Sequence, residues 1–306
     1  MSRIVKIGTI ARLVPDNPVS MEENLQYCEG LLNEAGEEGC DIVCLPEWFN
    51  VHGTLEGQKA GSNISLLAEL IPGPLSERLG IIAKRAGMYI VATYIEKDGE
   101  KLHNTAVIID RTGKVVGKYR KTHPTGSEIR ECHITPGDDL PVFQLDFGCV
   151  AIMICMDIYF PEIVRVYTLQ GAEIIFWPTM AHGPSEYTLK TQFTSRAIDY
   201  KAYMVTSNYA CESPYAPYAG RSAPGNSYIV DLYGHIIADT GHKAGLAVAK
   251  VDLDAPHLGV GVIGLRKHGY DLLREDMLRL RRPELYGKIC EPVDNRDYLA
   301  GRAIDE

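Results

Sequence analysis

Apolar and polar positions along this chain change period again and again, and each change marks an element. Residues 4 to 12 alternate as a strand. Residues 20 to 37 then read as a helix, with Met21, Leu25, Cys28, Leu32 and Ala35 recurring at three- and four-residue steps. Residues 41 to 45 form a short apolar strand that Pro46 ends, and Pro74 to Ala86 a helix opened by Gly73-Pro74 and stopped by Gly87. Residues 89 to 96 are a strand, and residues 104 to 110 with 113 to 119 a hairpin turning at Asp110-Arg111-Thr112-Gly113. The second half repeats the rhythm. Strand 149–155 leads to helix 161–170, closed by Gly171, then to strand 173–177, a helix from Ser185 to Tyr200 and strand 203–208. Residues 226 to 231 and 235 to 238 form a hairpin around Tyr233-Gly234, and residues 246 to 251 a further strand. Strands alternating with helices, with hairpins between, predict a mixed α/β sheet protein. No Pro/Ser-rich linker divides it, while the charged, proline-punctuated stretch from about residue 270 reads as a tail.

Composition narrows the possibilities. Of 306 residues, 45% are hydrophobic and 23% charged, enough apolar material for a sizeable core. A net charge of −9 argues against nucleic acid or an anionic lipid surface, since phosphate binding needs clustered cations. The densest basic stretch, Arg279-Leu280-Arg281-Arg282, is too short to reverse that balance. No apolar run approaches the roughly 20 residues that span a bilayer, and the first residues read as a strand rather than an export signal. The eight cysteines follow no framework spacing and are expected to be reduced thiols in a cytoplasmic protein. Without a Cys-x-x-Cys or His-x-x-x-His pair, no structural zinc is expected.

Chemistry gathers where strands end. The run Val150 to Ile154 delivers Cys155 just before Pro161 opens a helix. Most free cysteines merely pack as small hydrophobes. This one sits where a helix N-terminus or a nearby cation could depress the thiol pKa and where the Met156 N–H could face an oxyanion. Glu47 ends the apolar run Ile42 to Pro46. It is either an ordinary surface carboxylate or a partly desolvated one with a pKa raised toward acid–base work. Lys121 lies in Lys118-Tyr119-Arg120-Lys121, which is a solvated basic turn unless a nucleophile lies beside it.

Together these segments become specific. Leu45-Pro46-Glu47, Tyr119-Arg120-Lys121 and Ile154-Cys155-Met156-Asp157 with Phe160-Pro161-Glu162 resemble, in order, the three signature segments of the nitrilase superfamily of carbon–nitrogen hydrolases. His103-Asn104-Thr105-Ala106, Thr135-Pro136-Gly137-Asp138, Ser195-Arg196-Ala197 and residues 281 to 286 are similar too, so the likeness spans roughly residues 4 to 286. The resemblance implies a four-layer α-β-β-α sandwich over residues 1–270. Residues 271–306 would be a C-terminal extension packing on the domain or a partner subunit, in a homodimer or larger homo-oligomer. It implies no cofactor and no metal. The expected activity is hydrolysis of a small linear amide or N-carbamoyl compound, releasing ammonia through a cysteine thioester. The alternatives are a nitrilase, or a non-catalytic scaffold of the same fold.

Carried over residue by residue, the resemblance makes Cys155 the nucleophile, Glu47 the general base and acid, and Lys121 with the Met156 N–H the oxyanion donors. A second glutamate near the lysine is expected. Glu131 is favoured by counting back from Thr135, with Glu128 the alternative by counting forward from Lys121. Trp48, and Thr179, Met180 and His182 in the segment Trp177 to His182, are expected to line the substrate pocket, and the loop 213–218 to border its entrance. Asp157 reads as orienting the turn, and Glu162 with Arg165 as an i,i+3 pair along helix 161–170.

Overall fold

The structure is a computed structural model describing residues 2–181, 186–211, 227–255 and 278–291. Residues 1–255 form one compact unit. The described part of the second unit, 256–306, holds two short 3-10 turns, Pro283–Leu285 and Gly287–Cys290. No helix among the described residues is long and apolar enough to cross a membrane.

Two sheets make up the first unit. In one, β1 (Ile4–Val14), β2 (Ile42–Cys44) and β3 (Tyr89–Asp98) run parallel. Beyond β3, β4 (Lys101–Ile109) and β5 (Val115–Arg120) continue antiparallel. In the other, β6 (Val142–Gln144) pairs antiparallel with β7 (Cys149–Ile152), which lies parallel to β8 (Ile174–Pro178) and β9 (Tyr203–Ser207). β10 (Tyr209–Cys211) crosses back to pair with the far end of β1. The hairpin β11 (Tyr228–Val230) and β12 (Ile236–Asp239) extends the second sheet, and β13 (Gly245–Asp252) lies antiparallel on β1.

Burial on both faces explains the near-continuous apolar runs. Ile42 and Cys44 of β2, Val91 of β3 and Ile108 of β4 face Val150, Ile152, Ile174 and Phe176 across a dry inter-sheet layer. Their neighbours Val43, Ile90, Ala92 and Val107 point the other way, against Leu25, Cys28, Leu32 and Ala35 of α1 (Met21–Glu37) and Leu75, Leu79 and Ile82 of α3 (Pro74–Ala86). On the second sheet, Ala151, Ile175 and Met204 meet Ile163, Val164 and Tyr167 of α5 (Pro161–Leu169) and Phe193 and Ala197 of α6 (Glu186–Tyr200). The layers therefore run α-β-β-α.

Helix ends fall where the sequence signals them. Ser20 closes a capping box with Glu23 ahead of α1, and Gly87 ends α3 at φ +64°. Elements too short for a period went unexpected: β6, α2 (Leu55–Ala60) and α4 (Gly126–Arg130). The strand expected over 149–155 stops at Ile152. The Asp157 carboxylate takes the Ile154 N–H at 2.7 Å, and residues 155 to 159 turn as a 3-10 segment. Ser185 and the loop 213–218 lie outside the described residues.

Candidate active site

Two antiparallel steps separate β3 from β5, so β5 again runs in the direction of β2 and β3. Glu47 follows β2, Lys121 follows β5, Cys155 follows β7 and Met180 follows β8. All four groups issue from the carboxyl ends of strands, the usual place for a ligand site in an α/β fold.

Lys121 is 1% exposed, and its ammonium donates to Glu47 Oε1 at 2.9 Å and to Glu128 Oε2 at 2.7 Å. The Asn104 amide bridges the two carboxylates, Nδ2 donating to Glu47 Oε1 at 2.7 Å and Glu128 Oε1 at 2.8 Å. The Met180 N–H donates to Glu47 Oε2 at 3.0 Å, and the Tyr209 hydroxyl to the Glu47 carbonyl. Counting valences shows what is left. Of three ammonium hydrogens on Lys121, two are spent on carboxylates and one is available. Glu47 Oε1 accepts from two donors, Oε2 from one, so a lone pair on Oε2 is open.

The structure places Glu128, not Glu131, beside the lysine. Thr125 caps α4, its hydroxyl accepting from the Glu128 N–H at 3.2 Å, while Glu128 Oε2 reaches back to the Thr125 N–H at 2.7 Å. That capping box turns Glu128 inward. Glu131, at the end of α4, is exposed. The signature Thr125-x-x-Glu128 was the signal that could have decided between them.

Cys155 sits at φ +45°, a left-handed conformation that costs a non-glycine residue of order 1–3 kcal/mol and persists only where its surroundings fix it. They do so here. The Trp177 indole donates to the Cys155 carbonyl at 2.8 Å, and buried Asp157 ties Ile154 N–H, the His123 N–H at 3.0 Å and the Tyr119 hydroxyl at 2.7 Å into one turn. Asp157 thus orients the turn as expected. The Met156 N–H, in the first turn of the 3-10 segment, has no acceptor in its own helix. The i,i+3 pair expected between Glu162 and Arg165 is not found among the described residues. The Arg165 guanidinium instead lies over the Tyr200 ring of α6, 4.3 Å from its centroid.

Electrostatics separates the carboxylates. Burial raises the Glu47 pKa; Lys121 pulls it down and the Glu128 charge pushes it back up, leaving it above the ordinary range. Glu128 is also desolvated, yet the Lys121 ammonium and the hydrogen bonds it accepts hold it below that range. Burial opposes the charge on Lys121, but Glu47, Cys155 and Glu128 outweigh it, so the ammonium keeps its proton. Cys155 is pushed up to about 12 by burial and then by Glu47, against the pull of Lys121 and the Thr179 hydroxyl. The expected depression of the thiol pKa is not found, because one shared cation does not offset two carboxylates and desolvation.

A cavity of about 340 Å³ opens over Cys155, walled by Trp48, Met156, Tyr159, Trp177 and Met180, with Lys121, Glu47 and Glu128 at its base. Trp48 and Met180 are thus among the residues lining this cavity. Thr179 is fully buried and is absent from the wall, bearing on the thiol instead. His182 lies outside the described residues. Asn104 and Trp177 were named from sequence only within the segments His103 to Ala106 and Trp177 to His182, and Tyr209 was missed; their supporting contacts exist only across strands.

Residues 10–255 match the family model described as carbon-nitrogen hydrolase. Among relatives, omega-amidase NIT2 of Xenopus tropicalis is 32% identical over 250 residues, covering 78% of this chain and 86% of that protein. The protein described as "hydrolase in pqqF 5'region" of Pseudomonas protegens is 31% identical over 280 residues, 90% of each. A crystal structure of an amidase from Nesterenkonia sp. superposes with TM-score 0.68 at 21% identity, over 94% of this chain and 97% of that one. A mutant of the amidase from Nesterenkonia sp. AN1, with TM-score 0.69 and 21% identity over the same shares, shows covalent addition of the acetamide moiety of fluoroacetamide at its active-site cysteine.

Proposed function

Because the chain belongs to the carbon–nitrogen hydrolase family, the nitrilase superfamily, we propose that it is an amidase whose site hydrolyses the C–N bond of a small linear amide or N-carbamoyl compound and releases ammonia. The observation that carries this reading is the buried Glu47–Lys121–Glu128 cluster set against a strained, half-buried Cys155. The amidase and omega-amidase relatives support it.

In this mechanism the thiol is protonated at rest, so attack and deprotonation go together. Sγ bonds to the substrate carbonyl carbon while its proton moves to the open lone pair of Glu47 Oε2. The carbonyl π electrons move to oxygen, where the remaining Lys121 hydrogen and the Met156 N–H meet the charge. The C–N bond breaks as Glu47 returns the proton to nitrogen, and ammonia leaves a thioester on Cys155. Water then attacks with Glu47 as base, a second tetrahedral intermediate collapses, and the thiol departs with the proton. Glu128 holds the ammonium in place and its negative charge keeps Glu47 basic. The proposal includes a cytoplasmic homodimer or larger homo-oligomer, which sedimentation of the purified protein tests.

A screen of amides, ureido acids and nitriles for ammonia release tests the activity. An amide or ureido acid is expected to be consumed, with Cys155→Ala inactive but folded, and Glu47→Gln slowed roughly a hundredfold to ten-thousandfold. Consumption of nitriles alone, or turnover by the Cys155→Ala protein, overturns the reading.

A further inference from the structure

Behind the active-site cavity lies a second chamber of about 370 Å³, and Trp48 and Met180 belong to the walls of both. The two spaces are neighbours across this partition. It is anchored on the reacting centre, because Trp48 follows Glu47 in the chain and the Met180 N–H donates to Glu47 Oε2 at 3.0 Å. Trp48 carries two local costs: φ of +52°, and a buried indole N–H with no acceptor among the described residues. Both costs at one residue mark a side chain held in place for something besides packing. Beyond it the chamber is lined mainly by apolar side chains, Val14, Pro18, Val51, Ile64 and Leu67, with the His52 ring in its wall and exposed Asp16 and Gln58 at its rim.

We propose that this chamber receives an apolar chain carried on the carbonyl carbon of the substrate, passing the Trp48–Met180 partition. The inference rests on the amidase reading above. When ammonia is the leaving group, nitrogen bears no carbon, so any apolar extension belongs to the acyl side. The ligand class is then a primary amide whose straight apolar acyl chain is long enough to reach past Trp48.

Tryptophan fluorescence tests this, because both tryptophans in the sequence, Trp48 and Trp177, face the cavity over Cys155. Cys155→Ala protein is titrated with primary amides from acetamide to octanamide. Affinity is expected to rise about fourfold per methylene once the chain passes Trp48. Leu67→Phe in the same background narrows the chamber and is expected to cut the octanamide-to-acetamide affinity ratio by about tenfold or more. Gln58→Phe, at an exposed position of the same wall, gives an independent reading if Leu67→Phe unfolds. Affinity that does not grow with length, or a ratio that neither variant changes, overturns the proposal. The parent enzyme is assayed for ammonia with the same series. Length-dependent binding without any turnover would sink the amidase reading and leave the chamber standing. Turnover of acetamide without any length dependence would do the reverse.

Discussion

At Glu47 the chemistry depends on which of two carboxylates carries the proton load. Burial and the nearby Glu128 charge raise Glu47, whereas Lys121, after opposing burial, keeps Glu128 low. The sign of a substitution follows. Glu128→Gln removes the negative charge that raises Glu47 and leaves Lys121 to pair with Glu47 alone. The acid limb of kcat/KM is therefore expected to move to lower pH. Activity at neutral pH is expected to fall roughly tenfold to a hundredfold, since a hydrogen bond to a charged group is worth about 1.5–3 kcal/mol. Glu131→Gln, at an exposed position, should leave both the rate and the profile in place. A pH–rate series on the three proteins checks this, and an upward-moving limb in Glu128→Gln would contradict the assignment. The thiol adds a second expectation. With Cys155 pushed up to about 12, kcat/KM should not climb through the range where a free thiol ionises, about pH 8.5. Glu47, Lys121 and Cys155 were legible in sequence because each sits in a recognisable segment at a strand end. Asn104 was seen only as part of the segment His103 to Ala106, for its amide matters only once the fold brings Glu47, past the end of β2, and Glu128, in α4, to β4.

At the scale of elements, legibility followed length and punctuation. The helix read from Pro74 to Ala86 is the helix observed, because Gly73-Pro74 starts it and Gly87 stops it. The five-residue α4 carries too few positions for a period, and the consequence was the misplaced second glutamate. Tertiary contact also decides what a residue inside an element is for. Gly80 lies mid-helix in α3, where intrinsic propensity favours alanine by about 1 kcal/mol. A Cβ there would lie 2.3 Å from the Gly113 carbonyl oxygen and 3.3 Å from the Gly113 Cα, in the turn joining β4 to β5. Backbone cannot step aside as a flexible side chain can, and overpacking costs typically 1–3 kcal/mol. The clash outweighs the propensity gain. Gly80→Ala is expected to lower the unfolding free energy by a net of up to about 2 kcal/mol, read as a lower urea midpoint at unchanged slope. A stabilised Gly80→Ala protein would show that helix and turn do not approach this closely.

For the whole molecule, alternation announced an α/β protein but not its two sheets, since strands buried on both faces read as plain apolar runs. The four layers came through the family resemblance, and the inter-sheet layer of Ile42, Val91, Ile152 and Phe176 bears them out. The dryness of these layers has a consequence that spans the fold. Cys28 of α1 and Cys40, just before β2, lie in the core between the first sheet and the helices α1 and α3 and are pushed up to about 11 by burial. In the unfolded chain both ionise near the ordinary thiol value of about 8.5. Below that pH each binds a proton in both states and stability is unaffected. Between about pH 8.5 and about pH 11 the unfolded state has lost protons that the native state still holds, so stability falls as pH rises. By about pH 10.5 the cost is on the order of 2 kcal/mol for each thiol, a large share of the 5–15 kcal/mol that holds a typical domain. Tyr203, pushed up to about 12 by burial and nearby Asp231, adds to the loss above about pH 10. Urea unfolding at roughly pH 7.5 and roughly pH 10.5 is expected to show this drop. Replacing Cys28 and Cys40 together with alanine should lower stability at the first pH, through lost packing, while flattening the difference between the two. If the double variant loses as much stability between the two pH values as the parent, Cys28 and Cys40 are not what makes this fold alkali-sensitive, and the burial-raised thiols it keeps, Cys44 among them, are next to be replaced.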